Sequence, residues 1–424
     1  MLAGIAAVVA IAFIVEQSRP YRFPPIPTNP LPVPNAYDYY CKASDGATRD
    51  ERVVKIPNSL LGSVYSKYPP QLQQAILKAT QRDVATMRAG FAFPYMCSYD
   101  RSNRSRFSYV AHFRELARLR QLQALVDERH GDWGSAAAAD VDDLKLGADV
   151  PHGGPIIAAL VGVACEAIGR RDMWAVVPHL TFAQAQAAKA RLLSIDAGRS
   201  KYSDAQVEEK YDGQADLQVR FKPRDWASQI ARDETSGFDG TAGSPSAFDK
   251  FLFVWRMRIA GKKGIYEQYS AYQDAVIDAA RIPYADHSPI NRVPLDPITG
   301  FEQTTTGFDP YDISKKVRVR FVDCQAQDRL LIVSLALRQY FLRNHTYPSA
   351  LSQLVPAYLA GVPDDPFAVS GPLRYIKFSN TYCLYSIGPD GIDNHGAAIG
   401  SVSPGVRPFV VESSKVDIVA GVSP

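Results

Sequence analysis

Apolar positions recur at three- and four-residue spacing through much of this chain, and that period predicts a mainly helical protein. Over residues 70–90, Leu72, Ala75, Ile76, Ala79, Val84 and Met87 form one stripe, opened by Pro69-Pro70 and closed by Gly90. From 108 to 197 the pattern is helical throughout. Phe113, Leu116, Ala117, Leu119, Leu122, Leu125 and Val126 mark a first helix that stops at His130-Gly131. Asp132 then caps a second, the Pro151-His152-Gly153-Gly154-Pro155 turn introduces a third, and Thr181 caps a fourth.

The stretch 198–320 is harder to read, with a glycine-rich loop at 235–246 and a long helix over 248–280 broken near Gly261-Lys262-Lys263-Gly264. A very apolar helix follows at 325–344, with Arg329, Arg338 and Arg343 along its edge. Beyond it a short helix around Leu351, Leu354, Val355 and Leu359 precedes two strands, 373–378 and 381–387, joined at Ser379-Asn380. The fold class is therefore mainly α with a small α+β C-terminal module, the body built of helical hairpins and the module of a helix on a small antiparallel sheet. The paired helices around Gly131-Asp132-Trp133 loosely resemble tetratricopeptide-type hairpins, without the strict period of about 34 residues that a repeat array requires. Four segments are expected: an apolar start at 1–16, a proline-rich stalk at 17–35, the helical body at 36–320 with a break near 198–246, and the module with its tail at 321–424.

Residues 2–15 are almost uninterrupted Leu, Ala, Ile, Val and Phe. The run is shorter than the ~20 residues of a spanning helix and lacks a basic leading region. Three readings stand: an export signal or membrane anchor whose start lies upstream of Met1, a cleaved signal, or a buried N-terminal helix. The first is favoured. Seven of the fifteen residues from 20 to 34 are proline, which suits a semi-rigid stalk lifting a domain off a membrane, or else an extended arm on the folded body. The remaining composition, 46% hydrophobic and 21% charged, is that of a folded protein. A formal charge of +3 gives no footprint for nucleic acid. Cys41, Cys97, Cys165, Cys324 and Cys383 are spread without a Cys-x-x-Cys pair, which argues against a zinc knuckle. Cys41 and Cys97 are the pair to examine first for a disulfide, while Cys165 reads as a small buried hydrophobe.

The last quarter carries the most specific signal. Asn344-His345-Thr346-Tyr347-Pro348 leads through Pro363-Asp364-Asp365-Pro366-Phe367 to Tyr382-Cys383-Leu384-Tyr385-Ser386-Ile387-Gly388-Pro389-Asp390-Gly391. That order resembles the globular domain of type II secretion major pseudopilins, over about residues 325–396. The resemblance implies a calcium-binding loop, with the Asp390 carboxylate and the Ile387 backbone carbonyl as carried-over ligands. Asp393 and Asn394 lie within reach of the same ion and complete the expected set, and structural calcium (Ca2+) is the expected cofactor. The alternative is a tight Asp-Gly turn that closes the strand without an ion. The chain departs from the family in placing this module more than 300 residues after the apolar start, where pseudopilins have it directly after their membrane helix.

Signatures of zinc proteases, serine hydrolases, phosphate loops and dinucleotide binding do not occur in the sequence. The seven histidines are scattered, with His112 expected to face solvent or pack and His152 to sit in a turn. Asp140, Asp142 and Asp143 are expected on a solvated face. The resulting expectation is a scaffolding or interaction protein of the bacterial cell envelope. It would be single-pass, with its body outside the cytoplasm, the membrane and unidentified envelope proteins as its partners, and no nucleic acid. An envelope hydrolase with its site in the helical body, and an accessory component of a type II secretion-like system, are the alternatives.

Overall fold

A computed structural model describes residues 21–51, 54, 65–98, 101, 108–236, 246–286, 310–398 and 410–422. The apolar start at 1–16, most of the glycine-rich loop and the turn-rich residues 287–309 lie outside these. The described residues form eleven α-helices and one three-stranded antiparallel sheet, the mainly α architecture with a small β element that the sequence predicts.

The helices are α1 (Ala36–Glu51), α2 (Pro70–Ala79), α3 (Gln81–Gly90), α4 (Ser108–Arg129), α5 (Trp133–Asp149), α6 (Ile156–Val176), α7 (Phe182–Ala197), α8 (Tyr202–Arg220), α9 (Trp226–Ser236), α10 (Ala247–Arg281) and α11 (Pro310–Asn344). Their ends follow the expected chemistry. The Asp132 carboxylate accepts from the Ser135 N–H at 3.1 Å to cap α5, and Thr181 and Gln184 form a reciprocal capping box on α7. The stripe expected as one helix over 70–90 is two, because the chain turns at Thr80 (φ −93°, ψ 5°). The Thr80 hydroxyl donates back to the Ile76 carbonyl at 2.9 Å there. In α10 the break falls at Gly261, whose φ of 68° only glycine adopts freely.

α5 and α6 cross with backbones nearly touching. A Cβ on Gly147 would lie 2.5 Å from the Gly162 carbonyl oxygen, and one on Gly169 would lie 2.5 Å from that of Asp140. Glycine on both helices is what permits this approach. Around the pair, α4 and α7 cover further faces, so α5 is enclosed.

α11 is the spine of the molecule. It begins at Pro310, fifteen residues before the expected start at 325, and Leu330, Leu331, Ile332, Val333, Leu335, Ala336 and Leu337 are all fully buried. A helix apolar all round must be covered all round. One side packs on α7 and α6, the other on the sheet, and a single core joins Leu144, Leu192 and Leu335 to Phe367, Leu384 and Ile418. The sheet comprises β1 (Arg374–Lys377), β2 (Tyr382–Ser386) and β3 (Ile418–Val419), in that spatial order. β1 and β2 form the expected hairpin, with Tyr375 opposite Leu384. β3, which the sequence reading did not anticipate, returns from the tail to pair Tyr385 with Val419.

The proline-rich segment does not stand clear of the body as a stalk over its described residues. Phe23 stacks on Phe221 with ring centroids 5.8 Å apart, the Gln218 amide donates to the Pro24 carbonyl at 3.1 Å, and Asn29 donates to Glu208 at 3.0 Å. Aromatic and amide groups interspersed among the prolines give this arm its grip. It is thus the arm alternative that the described residues 21–34 follow.

Candidate functional site

The C-terminal loop is built outward from the end of β2. Gly388 follows at φ 73°, and a Cβ there would meet the Val416 carbonyl oxygen at 2.4 Å, so the residue must be glycine. Asp365, from the Asp-Pro-Phe turn, reaches across to hold this point. Its Oδ1 accepts from the Ser386 hydroxyl at 2.6 Å and the Phe367 N–H at 3.0 Å, and its Oδ2 from the Ile387 N–H at 2.9 Å. Asp417 holds the other end, accepting from the Asn394 N–H at 3.2 Å and the Gly396 N–H at 2.6 Å while fully buried.

The four expected calcium ligands occupy this loop with other partners. The Asp390 Oδ1 accepts from the Ile392 N–H at 3.2 Å. Asp393 Oδ1 accepts from the Tyr385 hydroxyl at 3.0 Å and the His395 N–H at 2.9 Å, and its Oδ2 lies 3.6 Å from the Arg374 guanidinium. The Asn394 amide donates to the Ile392 carbonyl at 3.0 Å, and Ile387 presents its N–H to Asp365. A calcium ion needs six to eight oxygens converging on one point. Here a guanidinium already faces one carboxylate, and among the described residues no three His, Cys, Asp or Glu side chains converge as metal ligands. As placed, the loop is closed by its own hydrogen bonds. Asp365 and Asp417 are the residues that sequence reasoning missed. Asp365 was legible within the turn motif, whereas Asp417 sits in a tail with no pattern to mark it.

A second constellation lies at the centre of the molecule, where α6, the end of α7 and α11 meet. Arg170 donates through Nη2 to Asp328 Oδ1 at 2.7 Å and to Glu166 Oε2 at 3.1 Å. Arg199 clasps Glu166 with two bonds of 2.8 and 2.7 Å and also donates to Asp328 Oδ2. The Cys324 thiol donates to Glu166 at 3.1 Å. No side chain in this four-charge group is more than 5% exposed. Burial alone would raise the Glu166 carboxyl, but the two guanidinium groups outweigh it and hold the acid below its usual range.

α5 provides a third. Asp140, Asp142 and Asp143, expected on a solvated face, are all buried. The expectation fails because neighbouring helices enclose α5 on the sides where its acids project. Asp142 is met by three cations: Arg120 at 3.0 Å, Arg88 at 3.2 Å and Arg191 at 2.6 Å. Asp140 and Asp143 have no hydrogen-bond partner on either carboxylate oxygen among the described residues, and burial pushes both acids well above the carboxylate range.

Beside this helix lies a cleft of about 440 Å³ lined by Gln81, Arg88, Arg120, Gln123, Asp127 and Ser135, with Leu77, Val84, Ala85, Leu119 and Ala138 as its apolar part. Burial raises Asp127, the one carboxylate on its wall. His112 is exposed, and His152 bridges the Asp149 and Gly198 carbonyls at 3.0 and 2.9 Å. The five cysteines are free thiols; Cys41 and Cys97 share one apolar cluster, and burial pushes each up to about 12. Compared with known proteins, the chain matches no family model, no curated protein and no solved structure.

Proposed function

We propose that this is a scaffolding or interaction protein of the cell envelope, tethered to a membrane by its N-terminal segment, with a pseudopilin-like C-terminal unit outside the cytoplasm. The observation that carries the reading is where the convergent ionisable groups are spent. Glu166, Arg170, Arg199 and Asp328 neutralise one another inside the joint between the helical body and the C-terminal unit. The cleft beside α5, by contrast, presents arginines already paired with Asp142 and a single carboxylate; a second of about 440 Å³ sets Glu128 beside Asp172, whose oxygens already accept from Gln121 and Arg171. A general acid-base pair needs two groups facing one substrate, and a rigid frame for holding partners needs the joint. The apolar run at 2–15 supports the tether, and no helix among the described residues is long and apolar enough to cross a membrane.

The test is to express the full chain in a bacterial host, fractionate the cells, and add protease to spheroplasts. Recovery with membranes and digestion from outside are expected. Recovery in the soluble cytoplasm would sink the tether. Hydrolysis of an envelope polymer by the purified protein, lost in Asp127→Asn, would replace scaffolding with catalysis.

A further inference from the structure

The first half of α10 exposes an apolar stripe on the outside of the molecule. Phe248 is 68% exposed, Phe251 64%, Trp255 52% and Ile259 40%. At 100° per residue these positions fall within roughly 80° of arc on one face. The opposite face is spoken for, since Phe253 and Met257 are buried against α9 and the end of α8. The helix is therefore apolar on two sides, a pattern that core packing does not require.

Charge flanks the stripe. Arg256 and Arg258 are exposed one step to either side of it, and Lys262 and Lys263 follow at the Gly261 break. Between residues 248 and 263 there are five basic residues and one acid, Asp249, in a chain that is otherwise nearly balanced. Aromatic side chains on one face bordered by cations are the composition of a helix lying in a bilayer interface. Arginine stems can lie along the apolar layer while their heads meet lipid phosphates.

The approach of the N-terminal segment adds a second, independent observation. Tyr21 and Phe23 pack on Tyr266, with ring centroids 6.2 and 5.2 Å away, only five residues beyond the Gly261 break. The described chain, which begins at Tyr21, thus meets the body beside this same helix.

We infer that residues 247–260 dock on an anionic lipid bilayer, inserting Phe248, Phe251 and Trp255 at the level of the headgroups. The inference extends the membrane-tether reading by naming a second contact, yet it rests on the helix's own surface. The docking would hold the body flat against the membrane rather than free at the end of its tether.

The test uses the full chain and vesicles of phosphatidylcholine, with or without phosphatidylglycerol, carrying acyl-chain bromines that quench nearby tryptophan. Quenching is expected with phosphatidylglycerol, absent in Trp255→Phe, and relieved by salt. Arg256→Glu combined with Arg258→Glu should weaken the titration roughly ten-fold or more while leaving the circular dichroism unchanged. Sedimentation with vesicles but no Trp255 quenching would overturn docking and leave the tether standing. Sedimentation and quenching that vanish together at high salt would uphold docking and remove the tether. A lipid-free doubling of mass that is lost in Phe251→Ser, with no quenching, would assign the stripe to a second copy of the chain.

Discussion

At the scale of single residues, the buried charges divide into those with partners and those without. Arg199 serves two carboxylates, so Arg199→Met would leave Glu166 and Asp328 with only Arg170 between them. An uncompensated buried charge costs about 3–5 kcal/mol. Urea titration should therefore show a loss of that order, with Glu166→Gln in the same chain recovering part of it. Asp143 behaves oppositely. Burial raises its folded pKa above the unfolded value of roughly 3.9, so the folded state holds the proton more tightly. Its contribution is present at low pH and is lost as pH climbs from the unfolded value toward the folded one. Asp143→Asn should flatten the decline in melting temperature between pH 5 and pH 8. Neither group was legible in the sequence: acids three residues apart on an alanine-rich helix look alike whether water or another helix faces them. The glycines of α5 and α6, which bring the two helices within touching distance, and the cover from α4 and α7 decide the matter.

At the scale of elements, helix starts and stops were readable because caps are local chemistry. Asp132, Thr181 and the Gly261 break all act within one turn of their own position. Elements fixed by distant partners were not readable. β3 has two residues and is defined by pairing with β2, and the true start of α11 depends on contacts such as Tyr202 with Ser314, whose carbonyl accepts from the tyrosine hydroxyl at 2.7 Å. The C-terminal loop illustrates the same division. Its glycines mark the turn, but the carboxylates that fasten it come from 21 or more residues away. Asp365→Ala removes an acceptor for three donors and should cost about 2–3 kcal/mol by thermal denaturation. Asp390→Ala removes one exposed turn bond and should cost under about 1 kcal/mol. Calcium titration of the parent and of Asp390→Ala tests the metal reading: a rise in melting temperature that Asp390→Ala abolishes supports it, and no shift in either protein leaves the loop a simple turn.

At the scale of the whole molecule, the expected boundary at residue 320 falls inside α11, and the helix belongs to the body as much as to the terminal unit. Lys189 on α7 donates to Gln339 at 2.5 Å and to the Tyr358 carbonyl, and Arg338 donates to the Leu180 carbonyl at 3.0 Å. The isolated 321–424 segment would expose the apolar face that α6 and α7 cover, so it should show little tertiary structure by near-ultraviolet circular dichroism, while the full chain unfolds with that unit included. A well-folded isolated segment would establish it as an autonomous domain.

The position of α11 along the chain also has a consequence for how the protein is made. Glu166, Arg170 and Arg199 emerge from the ribosome long before Asp328, and the groove between α6 and α7 stays open until the spine arrives to fill it. During that interval the nascent chain carries an unfilled apolar slot and a net positive centre. Wherever the chain folds, its core can therefore close only once residues 310–344 are available to fill that slot.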